Sequence, residues 1–160
     1  MKITKKLGKV YSVKTKSPKA AKPKTVSVAI NNCYGGFSLS PKAVHLLACR
    51  QGKPCYFFTT DYIIHSETKY VPVEGYPEGM FWAAFTVKDP ENHECGDIDI
   101  DQHPLDRTNP VLIEIIQELG DAANGECSKI KIVEVPADVK WEIQEYDGME
   151  WVAEKHRTWG

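Results

Sequence analysis

Nowhere in these 160 residues do about 18 apolar residues run together, so no membrane-spanning helix is expected. The first residues lack the apolar stretch of a secretory leader. The five cysteines, Cys33, Cys49, Cys55, Cys95 and Cys127, are odd in number and contain no Cys-x-x-Cys pair. Reduced thiols in a cytoplasmic protein fit that usage better than a disulfide framework does. Also missing are the lysine-bearing P-loop and the G-x-G-x-x-G fingerprint, which excludes the commonest nucleotide cradles.

What is present describes a globular chain with a charge division. An apolar fraction of 42% and an aromatic fraction of 10% suffice for a core in one domain of this length. Residues 1–25 hold nine lysines and no acid, which leaves eleven basic against 22 acidic residues in the rest. Residues 1–24 therefore read as a basic arm or linker, and residues 25–160 as a single acidic domain. Lys5, Lys6, Lys9, Lys14 and Lys16 suit a solubilising terminus, with contact to phosphate backbones by counterion release as the alternative.

Periodicity gives the domain its outline. "TVSVAINN" alternates as a strand over residues 25–32, and Ser40-Pro41 starts a helix whose apolar stripe is Ala43, Val44, Leu46 and Leu47. Gly52 stops that helix, and residues 54–60 read as a second strand. The least readable region, residues 62–106, suggests a strand, a turn rich in glycine and proline, and a strand over residues 80–87. Asn109-Pro110 repeats the helix-start device, and "SKIKIVEVP" is a further strand. Asp147-Gly148 between alternating flanks marks a hairpin that pairs Tyr146 with Met149, Glu145 with Glu150 and Gln144 with Trp151. The expected fold is α+β: five to seven strands in a mixed, largely antiparallel sheet, with two main helices on one face.

Several groups carry candidate chemistry. In "NNCYGGFSLS", Gly35 and Gly36 permit a tight turn with positive φ, and the helix start that follows offers free N–H groups to an anion. Tyr34 and Phe37 add stacking faces, Ser38 and Ser40 add hydroxyls, and Arg157 and Trp159 offer a guanidinium and an indole from the far end of the chain. The expected ligand site is Tyr34, Gly35, Gly36, Phe37, Ser38, Arg157 and Trp159, with a structural turn as the alternative. Asp97, Asp99 and Asp101 share one face if extended, beside His93, Cys95 and His103, but match neither a calcium loop nor a zinc signature. Glu145 opposite Glu150 is mildly unfavourable unless a cation lies between them. Cys33 before a helix start has the position of a nucleophile, yet no histidine is singled out as its base. No catalytic residue, cofactor or metal is assigned.

"INNCYGGFSLS", "NPVLIEIIQELGDAANG" and "VEVPADVKWEIQEYDGMEWVAEKHRTW" resemble a family of small, uncharacterised proteins of bacteriophage and prophage genomes. The likeness covers residues 26–47 and 109–159. It implies a phage or mobile-element accessory protein in the cytoplasm of an infected cell, with interference in host defence or metabolism among its roles. The function expected is thus non-enzymatic binding of a small anionic, nucleotide-like ligand or a host protein. Two alternatives are a nucleic-acid- or virion-associated protein acting through the arm, and a hydrolase using Cys33 or the carboxylate pair.

Overall fold

The computed structural model describes residues 24–61, 69–92 and 105–156. The basic arm before Lys24, the His93, Cys95, Asp97, Asp99, Asp101 and His103 group, and Arg157 with Trp159 lie outside the described residues. Chain order is β1 (Thr25–Asn31), α1 (Pro41–Arg50), β2 (Tyr56–Asp61), β3 (Lys69–Val73), β4 (Trp82–Phe85), α2 (Pro110–Leu119), β5 (Ile130–Pro136), β6 (Trp141–Tyr146) and β7 (Met149–Glu154).

The fold is α+β, and every strand pairing among the described residues is antiparallel. The strands divide over three small sheets, ordered β1-β5, β3-β2-β4 and β6-β7, where one sheet was expected. Alternation along β1 and β5 explains how they are arranged. Register pairs Ala29 with Ile132 on one face and Val28 with Val133 on the other. Ala29, Ile130 and Ile132 join a cluster with Val44, Leu47, Leu112, Ile115 and Ile116 of the helices and Phe57 and Ala84 of the second sheet. Val28, Ile30 and Val135 meet Trp141, Ile143 and Val152 of the hairpin. The β1-β5 ribbon is therefore covered on both faces, which a two-stranded sheet needs for stability.

Both helices begin at the expected signals. Ser40 Oγ accepts from Ala43 N at 3.2 Å and donates to Ala122 O at 2.7 Å, and Asn109 Oδ1 accepts from Val111 N at 2.9 Å. Gly120, at φ 55°, ends α2. The hairpin has the register read from the sequence, with Asp147 and Gly148 both at positive φ (51° and 82°) as its two-residue turn demands. The expected strand over residues 80–87 shortens to β4, whose pairing with β2 runs from Trp82 opposite Thr59 to Phe85 opposite Tyr56.

Candidate functional site

The glycine loop is a joint where three backbone segments meet. A Cβ on Gly35 would collide with the Cys127 carbonyl oxygen, and a Cβ on Gly148 would collide with Gly36 N. Gly35 and Gly36, at φ 133° and 88°, thus let the hairpin turn and the Cys127 turn close on the end of β1. Asn31 sits at this junction, fully buried, with its amide completely satisfied. Its Nδ2 donates to Cys33 O and Gly148 O, both at 2.7 Å, and its Oδ1 accepts from Lys129 N at 2.8 Å and the Cys33 thiol at 3.3 Å.

Arg107 completes the joint. It was not singled out in the sequence, and only 9% of it is exposed. Its guanidinium meets the Glu150 carboxylate through two bonds, Nη1 to Oε2 at 3.2 Å and Nη2 to Oε1 at 3.1 Å. Its opposite face lies over the Phe37 ring, 3.4 Å from the centroid. Together these groups satisfy the free edge of β1. Ala29 N donates to Arg107 O at 2.9 Å, and Asn31 N donates to Glu150 Oε2 at 2.8 Å. Burial lowers the Arg107 pKa from its ordinary value, while the charge and hydrogen bonds of Glu150 act in the opposite direction. Of the opposed pair, Arg107 meets Glu150, while Glu145 accepts from Gly148 N at 3.1 Å, and no local pattern in the sequence marks Arg107 as the partner.

Of the expected ligand residues, Tyr34, Gly35, Gly36, Phe37 and Ser38 fall among the described residues. Phe37 is stacked under Arg107, Gly35 faces the Cys127 carbonyl, Gly36 N lies against Gly148, and Tyr34 remains 64% exposed. Gly35 and Ser38 line a cavity of about 290 Å³ beside Met80, Trp82 and Cys127. The Cys33 thiol donates to Asn31 Oδ1 and to Cys127 O at 3.4 Å, and Glu150 is engaged by Arg107. Both reagents of the hydrolase alternative therefore already have partners inside the fold. Among the described residues no group of three or more His, Cys, Asp and Glu is placed to hold a metal, and no helix is long and apolar enough to cross a membrane.

A larger cleft, about 730 Å³, lies between α1, the start of β2 and the turn after β3. His45 and Tyr76 face each other there, with His45 Nδ1 3.0 Å from the Tyr76 hydroxyl. Phe57 stands edge-on to both rings, at centroid distances of 6.4 and 5.9 Å. Lys88 Nζ lies 5.3 Å above the Tyr56 ring at the same cleft, and Glu74 adds a carboxylate. These residues come from four segments, α1, β2, the turn after β3 and the stretch after β4, so no local motif announces them. No family model, no curated protein and no solved structure matches the chain. The site is therefore read from its own chemistry.

Proposed function

We propose that the protein is a non-catalytic binding protein whose His45–Tyr76 cleft holds a small ligand with a flat ring and an anionic group, a nucleotide being the type. The observation that carries this reading is a cleft of about 730 Å³ in which the His45, Tyr56, Phe57 and Tyr76 rings gather beside the Lys88 ammonium. Volumes of about 300–1,000 Å³ lined by aromatic groups with a few charges suit ligands of that size. Rings offer stacking surface at little entropic cost, and Lys88 supplies the counter-charge. The accessory role in a phage or mobile-element setting, including action against host defence, belongs to the same proposal. Its support is the resemblance of the three sequence segments.

A thermal-shift screen of mono-, di- and cyclic nucleotides tests the proposal. At a ligand concentration about 100 times Kd, linkage gives roughly 2.7 kcal/mol of added stability, a readily measured rise in Tm. The rise is expected in the wild type and is expected to be lost in Tyr76→Ala and weakened in Lys88→Gln. No rise with any of these ligands, or an equal rise in Tyr76→Ala, would refute it.

A further inference from the structure

The β6-β7 hairpin has an outer face that the ligand cleft does not use. Alternation turns Ile143 and Val152 inward, where they join the Val28 and Val135 cluster, and turns Gln144, Tyr146, Met149 and Trp151 the other way. Tyr146 is 72% exposed and Trp151 42%. The indole is held in one orientation, because its Nε1 donates to Gln144 Oε1 at 3.2 Å and Gln144 Nε2 donates to Glu142 Oε1 at 3.1 Å. We propose that residues 1–23 of this same chain dock across that face, their lysines set against its carboxylates and rings.

Charge, surface chemistry and chain path each favour this occupant. From Trp141 to Glu154 the hairpin holds Glu142, Glu145, Asp147, Glu150 and Glu154 and no basic residue. Arg107 engages Glu150, and Lys155 comes within 3.7 Å of Glu142, so Glu145, Asp147 and Glu154 keep their charge for another cation. Residues 1–23 carry eight lysines and no acid, interleaved with Ile3, Leu7, Val10, Tyr11 and Val13. Exposed Tyr, Trp and Met are the side chains that protein contacts favour, and ring faces also attract ammonium groups. The segment ends beside the open end of the hairpin. Lys24 O accepts from Ala137 N at 2.9 Å, shortly before β6 begins, and Lys155 N donates to Lys140 O at 2.8 Å where β7 has ended. Twenty-three residues reach up to about 75 Å, against about 20 Å for a six-residue strand. Tethering supplies an effective concentration of the order of millimolar, so individually weak contacts suffice. An ammonium engaged here is withheld from a phosphate backbone, and the face and a polyanion therefore compete for the same lysines.

The test is carbodiimide cross-linking of the full chain, which joins a lysine amine to a carboxylate with loss of water and is read by peptide mass. Links from the lysines of residues 1–23 are expected to concentrate on Glu142, Glu145, Asp147 and Glu154. A mixture of isotope-labelled and unlabelled chains is expected to place them within one copy. Links spread evenly onto exposed carboxylates elsewhere, such as Asp121 and Glu126, or formed only between two copies, would overturn the docking. Amide spectra give a second readout, comparing the wild type with a chain carrying Lys5→Gln, Lys6→Gln, Lys9→Gln, Lys14→Gln and Lys16→Gln together. The two are expected to differ at residues 142–151 in about 0.1 M salt and to converge in about 1 M, as the screening length falls from about 10 to about 3 Å. No difference at those residues in the lower salt would equally overturn it.

Discussion

Asn31 and Arg107 are the polar side chains that the interior admits among the described residues, and each is there because the other's neighbourhood needs it. Asn31 fixes Cys33, Gly148 and Lys129 through one amide, while Arg107 neutralises the carboxylate that caps the Asn31 N–H. Removing one member of a buried pair leaves an uncompensated charge, so Arg107→Ala is expected to cost about 3–5 kcal/mol in urea unfolding. Arg107→Lys should recover little of it, since an ammonium cannot make the two-bond contact or stack on Phe37. Asn31→Asp is nearly isosteric, yet it would aim a carboxylate oxygen at the Cys33 and Gly148 carbonyls. A loss above about 3 kcal/mol at neutral pH, shrinking as the acid protonates, is the expected outcome. A loss that does not depend on pH would contradict the assigned hydrogen bonds.

At the scale of elements, the hairpin was legible down to its register because a two-residue Asp-Gly turn leaves one way to pair its strands. What the hairpin rests on was not legible. Its contacts with β1 and with Arg107 span 43 to 119 residues of chain, and no local periodicity encodes them. Gly148→Ala tests that docking. The residue is at φ 82° with no room for a Cβ, so a loss larger than the roughly 1 kcal/mol of a merely strained turn is expected in the same unfolding assay. The start of α2 carries a pH dependence. The Thr108 hydroxyl, and next its backbone N–H, hold the Asp106 carboxyl below its ordinary pKa. A carboxyl lowered in the folded state contributes stability that is present above its unfolded pKa of about 3.9 and is lost as pH falls through the folded value. Wild type and Asp106→Asn should therefore differ at pH 7 and converge near pH 2. By contrast, Arg50 joins α1 to Glu114 and Glu118 at the surface, and Arg50→Ala should cost less than about 1 kcal/mol, falling further in high salt.

For the whole molecule, strand and helix patterning made the α+β class readable, because each segment's period of two or 3.6 is local information. The division into three sheets was not readable. It depends on which apolar faces meet, and the central cluster draws on both helices and two sheets at once. The same difference explains the candidate site. The glycine loop was conspicuous in the sequence because glycine pairs are conspicuous, and its close backbone approaches occupy those glycines. The His45–Tyr76 cleft brings His45, Tyr76 and Lys88 from separate segments against Tyr56 and Phe57 of β2, and no spacing links those segments. Charge separates the two ways in which this chain could meet a phosphate. Ligand binding in the cleft should vary only weakly with salt, whereas binding of a polyanion through the lysines of residues 1–24 would fall steeply with it. The most direct measurement is amide chemical-shift mapping of the labelled protein with the nucleotide that stabilises it most. Shifts are expected to concentrate at residues 45, 55–58, 73–76 and 88. Shifts centred instead on residues 34–38 and the 147–150 turn, or no shifts at saturating nucleotide, would contradict binding in the cleft.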